Sequence, residues 1–286
     1  MYQKSANHQN LKTMRKIFSR REFIKTSAAV AGAGGLMCST GCDKDISFAI
    51  PLWAMNALGA MSYSSTMQGY RISANQTQRS KVLNSGKRIE DATKQMMTEQ
   101  GTRSKIQGFA WEYDLLDDPT VNAWCMPGAR IAFYEGIMDV CHNEAGVAAV
   151  MGHEVAHAVY NHGGKRMAQQ LVIKAGVTSL SVALDRLTDF DDEIKNIALS
   201  VFGVGGTLGA LAYSRKHEFE ADKTGMILMA RAGYDPREAP MFWERMMHRY
   251  GSNKNDFMST HPSNERRVKA LKDALPEAMT HYNPYG

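Results

Sequence analysis

The string His153-Glu154-Val155-Ala156-His157 constrains this chain more than any other feature. Residues four apart on a helix lie on one face, one turn above each other, so His153 and His157 can bind a single metal ion. Glu154 lies about 100° further round the helix, beside such a metal and not on it. Two imidazoles suit Zn²⁺, and a free carboxylate beside a metal-bound water suits a general base. The pattern is typical of zinc-dependent proteases.

A string this short also occurs by chance, and the alternative is a buried helix with two hydrogen-bonded core histidines. The flanking residues argue against that alternative. Asn143 is a suitable N-cap, and Glu144 suits the positive end of the helix dipole. Gly163-Gly164 supplies a helix stop. The stretch between is almost wholly apolar or small, which predicts a buried helix in which histidines and a glutamate are costly unless paired or metal-bound.

A catalytic zinc needs a third protein ligand and one open position. In one class of zinc protease a third histidine follows the first by ten residues, but that position is Gly163 here. His162 is nine residues from His153 and is expected on the opposite side of the helix. We therefore interpret His162 as a structural residue.

A second predicted helix offers the missing ligand. Glu218 and Asp222 are four apart and share a face, whereas Glu220 should point away from it. Glu218 can be the third ligand, and Asp222 can accept a hydrogen bond from a ligating imidazole, which fixes the tautomer. Taken without the histidine motif, this segment also fits a solvated, charge-rich helix face.

Four further segments follow the order of a known family. Residues 213–222 read Tyr-Ser-Arg-Lys-His-Glu-Phe-Glu-Ala-Asp, and residues 232–236 read Ala-Gly-Tyr-Asp-Pro. Residues 122–128 precede the helix motif, and a His-Pro segment occupies residues 259–263. Together they resemble the M48 family of zinc metallopeptidases over about residues 85 to 280. That family includes bacterial periplasmic quality-control proteases and the mitochondrial inner-membrane protease of the Oma1 type.

The resemblance implies a fold and a set of site residues. The fold is a mainly helical α+β, zincin-like (gluzincin) metalloprotease domain with a small β-sheet. One Zn²⁺ per chain is bound by His153, His157 and Glu218, with Glu154 as the catalytic base and Asp222 supporting a ligand.

The His-Pro segment adds a regulatory possibility. In some members of the family its histidine reaches the zinc as a removable fourth ligand, and His261 matches that position. The alternative is that His261 caps a turn before Pro262. The following Arg266 and Arg267 could stabilise an oxyanion, but pairing with acidic surface groups is the expected role.

Charge is unevenly distributed along the chain. The formal net charge is +5, and residues 1–42 hold seven basic side chains against one acid, Glu22. The remaining body is near neutral, which gives no indication of a nucleic-acid partner. Arg20-Arg21 before an apolar run at 28–37 resembles a twin-arginine export signal, with an ordinary secretory signal as the alternative.

These features predict export to the periplasm. Cys42 follows Gly41 and is a candidate lipidation site, which would anchor the mature chain to a membrane; the alternative is plain cleavage of the signal. The predicted organisation is a signal peptide at 1–42, an N-terminal helical segment at 43–84 and the metallopeptidase domain at 85–286. Residues 46–61 are expected to pack on that domain rather than rest on a membrane surface.

The regions around the motifs complete the predicted fold. Residues 76–102 read as a helix, and residues 106–116 and 121–133 read as strands. Asn122 and Ala123 are candidates for an edge that pairs with an extended substrate, with a core strand as the alternative.

The segment between the two site helices is less regular. Two apolar stretches at 171–184 and 197–213 are expected to form a buried helix or hairpin over the zinc site, with a solvated turn at 185–195 between them. Membrane insertion is the less favoured alternative. Cys125 and Cys141 are expected to be reduced, although sequence alone does not exclude their pairing.

The function that these patterns predict is a metalloendopeptidase. The resemblance suggests polypeptide substrates, namely misfolded or unassembled cell-envelope proteins. The alternative is a chaperone or assembly factor whose zinc site is closed by His261 and rarely cleaves.

Overall fold

The computed structural model describes residues 50–176, 179–189, 191–202, 204, 213–251, 255–262 and 265–283. Most of them are helical. The helices of this part are α1 (Leu52–Met67), α2 (Gln76–Glu99), α3 (Glu135–Cys141), α4 (Glu144–Val159), α5 (His162–Ala175), α6 (Leu180–Asp189), α7 (Asp192–Phe202), α8 (Arg215–Arg231), α9 (Glu238–Tyr250), α10 (Asp256–Thr260) and α11 (Glu265–Met279). A 3₁₀ turn at Arg103–Ile106 and three strands lie between α2 and α3.

The three strands form one small sheet. They are β1 (Glu112–Leu116), β2 (Ala123–Met126) and β3 (Arg130–Tyr134), in the order β1-β3-β2. β1 is parallel to β3, and β2 is antiparallel to β3 with Cys125 opposite Ile131. The predicted fold class, mainly helical α+β with a small sheet, is therefore confirmed.

The sheet separates two hydrophobic cores, because successive side chains of a strand point to opposite faces. Leu115 and Phe133 face a core built by α2, α4 and the C-terminal helices. Leu116 and Trp124 face the other core, which α1, α5, α6 and α7 complete. Both cores contain side chains with essentially no exposed surface. The helix α4, which carries the His153–His157 motif, lies in the first core, directly under the sheet.

A pair of glycines sets the distance between α4 and α8. A Cβ atom on Gly152 would lie 2.6 Å from the carbonyl oxygen of Gly225, and one on Gly225 would lie 2.6 Å from the amide nitrogen of His153. Real side chains are excluded at such distances, so the two backbones meet here only because both residues are glycine. The crossing lies next to His153 and brings the two site helices together.

The N-terminal segment packs as predicted. α1 contributes Met55 and Leu58 to the second core, while Trp53 is 43% exposed. α2 confirms the predicted helix at 76–102 to within a few residues. Every helix of the described residues is too short or too polar to cross a bilayer.

Two local predictions are wrong. α4 ends at Val159, and Gly163 and Gly164 lie inside α5 instead of stopping the active helix. The break falls at Asn161, which adopts φ 51° and ψ 38°, a left-handed conformation that asparagine tolerates. The predicted turn at 185–195 is also wrong, because α6 and α7 cover most of it and bury Ile194. Most of residues 203–212 lie outside the described part.

Candidate metal centre

Four buried side chains converge on one point in the core. His153, His157, Glu218 and His261 each offer a ligand atom, and these atoms all lie within 4.8 Å of one another. The two imidazoles of the motif project from α4, the carboxylate comes from the first turn of α8, and His261 follows the last residue of α10. The side chains predicted from separate segments are thus brought together.

The separations between the four ligand atoms suit a tetrahedral cation. Nε2 of His153 lies 3.0 Å from Nε2 of His157 and 3.1 Å from Nδ1 of His261. Oε1 of Glu218 lies 3.3 Å from Nε2 of His157 and 3.2 Å from Nδ1 of His261. Ligands at the usual zinc distances form a tetrahedron with edges of about 3.3 Å.

Hydrogen bonding alone does not account for this cluster. A neutral imidazole nitrogen either donates one proton or accepts, so Nε2 of His153 can donate to only one of its two histidine neighbours. Nδ1 of His153 also lies 2.9 Å from Oδ1 of Asp222, which favours a proton on that nitrogen. Nε2 is then unprotonated and can bind a metal, and Nη2 of Arg267 is a second group near it, at 3.3 Å.

Asp222 is held by a buried arginine, a role that the sequence did not indicate. Arg267 donates from Nε and Nη2 to the two oxygens of Asp222, at 2.5 and 2.7 Å, and pairs with Glu218 through Nη1. Its Cζ lies 3.8 Å from the centre of the Trp243 ring. Arg267 is 2% exposed, so the expected pairing with surface acids is wrong for this residue. Of these two neighbouring arginines, Arg266 is the exposed one.

The ion pairs keep both carboxylates charged in spite of their burial. Burial alone would raise the pKa of Glu218, but the Arg267 guanidinium and His261 hold that pKa well below its usual range. Burial would likewise raise the pKa of Asp222, but Arg267 lowers it below its usual value. An ionised Glu218 is the form that a cation requires of a ligand.

His157 has its own chain of support, which sequence reasoning missed. Nδ1 of His157 lies 2.9 Å from Nδ1 of His162, and Nε2 of His162 lies 3.0 Å from Oε2 of Glu220. His162 reaches back because the left-handed Asn161 redirects the chain, so a single helical wheel does not apply. Glu220 points away from the ligand cluster, as expected, but it contacts the residue that supports His157.

Glu154 lies next to the ligands without belonging to them. It is 2% exposed, and its Oε1 has no hydrogen-bond partner in the described part of the chain. Nε2 of His261 lies 3.3 Å from that oxygen. Burial raises the pKa of the Glu154 carboxyl, against the opposing charges of His261 and His153. A carboxylate of raised basicity beside a metal is suited to accept a proton.

The predicted edge strand occupies the outer position of the sheet but is covered. β2 pairs only with β3 in the described sheet, and Asn122 and Ala123 are each 1% exposed. The amide of Ala123 donates to the side-chain oxygen of Asn122 at 2.9 Å. A substrate strand would have to displace that contact to pair with Ala123.

A cavity of about 200 Å³ adjoins the cluster. It gives a path from the surface to Glu218. Its lining residues are Arg215, Glu218, Phe219, Pro262, Arg266 and Arg267.

Elsewhere, Cys125 and Cys141 are buried free thiols, which agrees with the expectation that they are reduced.

Comparisons with known proteins agree with this geometry. Residues 84–275 match Peptidase family M48. The Mitochondrial metalloendopeptidase OMA1 of Schizosaccharomyces pombe is 31% identical over 79% of this chain and 73% of its own length. The protein of the same name from Arabidopsis thaliana is 34% identical over 68% of this chain. The Putative beta-barrel assembly-enhancing protease of Vibrio cholerae is 29% identical over 54% of it.

The match leaves much of some relatives uncovered. It spans 38% of the Arabidopsis thaliana protein and 32% of the Vibrio cholerae protein. Activities of those whole proteins therefore reach this chain only as proposals.

These relatives contradict the predicted export to the periplasm, which is wrong. The proteins of Schizosaccharomyces pombe, Arabidopsis thaliana and Saccharomyces cerevisiae are mitochondrial by name. The physical reason for the error is that a basic, acid-poor leader is common to bacterial export signals and mitochondrial transit peptides. The predicted signal at 1–42 and the lipidation site Cys42 lie outside the described residues.

Proposed function

Because this chain belongs to peptidase family M48 and is a metalloendopeptidase, we propose that it hydrolyses internal peptide bonds with one bound zinc ion and Glu154 as the general base. The observation that supports this most directly is the convergence of His153, His157 and Glu218 from two helices. Two imidazoles and one carboxylate are the ligand set of a well-known type of catalytic zinc site. Borderline-soft nitrogen donors favour zinc over magnesium or calcium.

The supporting residues have defined tasks in this proposal. Asp222 accepts from Nδ1 of His153 and so directs Nε2 toward the cation, and Arg267 fixes Asp222. His162 accepts from Nδ1 of His157 in the same way and so directs Nε2 of His157 toward the cation. Side chains locked in this way hold their ligand atoms without relying on the metal, which raises affinity and rate together.

Glu154 performs the proton transfers. Zinc, when bound, acidifies water and polarises a carbonyl oxygen. Glu154 takes the proton from the attacking water and then delivers it to the leaving amine. Its burial supports this role, because a raised pKa makes the Glu154 carboxylate a stronger base.

The substrates in this proposal are extended segments of misfolded or unassembled proteins. β2 is the outer strand of the sheet and leads past α4, so a substrate strand beside Asn122 and Ala123 would lie near the ligands. Three relatives are named for enhancing β-barrel assembly, which supports unassembled proteins as the substrate class. The narrower class that the family resemblance suggests, cell-envelope proteins, remains a proposal.

A second candidate function is favoured by His261. Four protein ligands would leave a bound cation without an open position, and Nε2 of His261 also contacts the proposed base Glu154. A chain held in this arrangement would bind unfolded proteins and rarely cleave them, as a chaperone or assembly factor does.

One experiment separates the two functions. The purified, zinc-loaded chain is incubated with casein and, in parallel, with a heat-aggregating protein, and compared with Glu154→Gln, which keeps the ligands. The endopeptidase predicts casein cleavage that the variant abolishes. If the wild-type chain and the Glu154→Gln variant both leave casein intact and both suppress aggregation, the chaperone function is the correct one.

A further inference from the structure

The cavity beside the ligand cluster has the size of one side chain. Its volume is about 200 Å³, and Glu218 forms part of its lining. Pockets that enclose drug-sized ligands measure about 300–1,000 Å³, so this smaller one suits a single amino-acid side chain. Because Glu218 is one of the proposed metal ligands, a substrate side chain in the cavity would lie close to the bond that is cleaved. The cavity is therefore placed to select substrates by that side chain.

The charged groups that line the cavity are mainly positive. Arg215, Arg266 and Arg267 face a single carboxylate among the described lining residues, that of Glu218. Arg267 is engaged in the interior, where it pairs with Glu218 and Asp222. Arg215 and Arg266 are exposed, and neither forms an ion pair within the described part of the chain. Their two guanidiniums are available to a negatively charged ligand.

The places of these two arginines in their helices argue against a role in stability. Arg215 is the first residue of α8, and Arg266 is the second residue of α11. A positive charge in the first turn of a helix opposes the helix dipole and is destabilising. No ion pair to another described residue offsets that effect for either side chain. The binding of an anion in the cavity gives a reason for a cation at both positions.

The rest of the cavity wall is apolar. The Phe219 side chain is 40% exposed, and Pro262 is also exposed. Exposed apolar surface of this kind is stabilised when hydrocarbon groups pack on it. Guanidiniums match the geometry of a carboxylate with paired hydrogen bonds. Methylene groups that end in a carboxylate are what this combination fits, and glutamate has that structure.

We propose that the cavity is a specificity site, in which Arg215 and Arg266 bind the carboxylate of an acidic substrate side chain, above all glutamate, close to the scissile bond. Phe219 packs against the methylene groups of that side chain. The carboxylate belongs to a side chain and not to a chain terminus, because the proposed reaction cleaves internal bonds. This inference rests on the proposed endopeptidase function and names a substrate class for it.

The test compares peptides that differ in one side chain. A quenched fluorescent peptide, blocked at both ends, carries Glu, Gln, Lys or Leu in turn at each of the three positions on either side of the cleaved bond. kcat/KM is measured with the zinc-loaded wild type and with the double variant Arg215→Gln with Arg266→Gln. Dissociation constants of the same peptides are measured in Glu154→Gln, with and without the two arginine substitutions.

A carboxylate site predicts a preference at one position. There the wild type cleaves the Glu peptide with about tenfold higher kcat/KM than the Gln peptide, as expected of charge-assisted hydrogen bonds in a partly solvated cavity, and Lys is the poorest residue. The dissociation constants follow the same order, and the double variant loses the preference in both measurements. The site is overturned if no position favours Glu over both Gln and Leu, or if the preference survives in the double variant.

Lys216→Gln with Lys269→Gln is the matched control. Both lysines are exposed, lie on the same two helices, and are absent from the lining of the cavity as far as the structure describes it. This pair removes the same charge from the protein and so reports long-range attraction of acidic peptides. The control should keep the Glu preference. Equal losses in the two double variants would assign the preference to the overall charge and overturn the cavity site.

Charge reversal gives a positive readout. In Arg215→Glu with Arg266→Glu, the Lys peptide should be cleaved and bound better than the Glu peptide at the same position, because like charges then repel the carboxylate. An unchanged order of the peptides would contradict the proposal. Thermal unfolding of each variant checks that the fold is intact, as expected for substitutions at exposed positions.

Failure of the two proposals can be told apart. If the wild type cleaves none of the peptides while Glu154→Gln binds the Glu peptide most tightly, the endopeptidase function is overturned and the carboxylate site is supported. Cleavage without a Glu preference overturns the carboxylate site alone. Neither cleavage nor binding of any peptide overturns both.

Discussion

Nε2 of His261 lies 3.3 Å from Oε1 of Glu154, while Nδ1 of the same ring lies 3.1 Å from Nε2 of His153. One side chain therefore contacts both the ligand cluster and the proposed base. Substrate needs a free position on the metal and a free base. The ring of His261 must move away before either is available.

Replacement of His261 by alanine is expected to raise peptidase activity. If the closed arrangement is favoured by ~1 kcal/mol, its removal increases kcat/KM by about sixfold, because the competent fraction rises from about one in six to all of the chains. The measurement is cleavage of a fluorescent peptide at equal zinc content. A fall in activity comparable to that of Glu154→Gln would show that His261 takes part in catalysis instead of closing the site.

Arg267 is expected to stabilise the fold as well as the site. Arg267→Met leaves the Glu218 and Asp222 carboxylates buried without their cation, which costs about 3–5 kcal/mol of unfolding free energy. Urea unfolding of the zinc-free chain measures this. The neighbouring Arg266→Met is the matched control, since Arg266 is exposed and its loss should cost less than about 0.5 kcal/mol. Equal midpoints for the two variants would refute the buried network.

The glycine crossing gives a second pair of matched variants. Gly152→Ala places a Cβ 2.6 Å from a backbone oxygen of α8, so α4 and α8 must separate, and we expect a loss of about 2 kcal/mol or more together with weaker zinc binding. Gly163→Ala lies in α5 with its nearest neighbour at 3.6 Å, and helix propensity predicts a gain of about 0.5–1 kcal/mol. Thermal unfolding and a zinc titration check both. Equal effects of the two substitutions would contradict the close approach.

Stability of the zinc-free chain is expected to fall below pH 6.5. Burial lowers the pKa of His217 to about 4, so the unfolded chain binds a proton before the folded chain does. Stability is then complete above pH 6.5, the pKa of an ordinary histidine, and decreases as the pH falls toward 4. His162, on which His217 stacks, has a pKa lowered by burial in the same direction.

Urea midpoints measured from pH 7.5 to pH 4.5 in the presence of a chelator test this. His217→Gln should flatten the curve in that window, whereas His248→Gln, at an exposed position, should not. A slope that neither variant alters would assign the pH dependence to other groups.

The parts of the site that follow helical periodicity could be predicted from sequence. His153 and His157 share a face of α4, and Glu218 and Asp222 share a face of α8. The N-cap at Asn143 is also as predicted, since its side chain accepts from the amide of Gly146. Spacing along one helix determines these relationships, and the chain departs little from ideal geometry there.

The relationships that sequence did not reveal depend on the path between elements. His162 supports His157 only because the left-handed Asn161 turns the chain, and a helical wheel assumes that no such turn occurs. The burial of Arg267 depends on how α11 packs against α8, which neighbouring residues do not encode. A glycine at each of positions 152 and 225 was the available signal for a close crossing.

One zinc ion is expected where α4 and α8 meet. The most direct measurement is anomalous diffraction at the zinc edge from crystals of the zinc-loaded Glu154→Gln variant. We expect one peak per chain, about 2.0–2.2 Å from Nε2 of His153, Nε2 of His157 and a carboxylate oxygen of Glu218. A peak away from these three atoms, or none at full zinc loading, would contradict it.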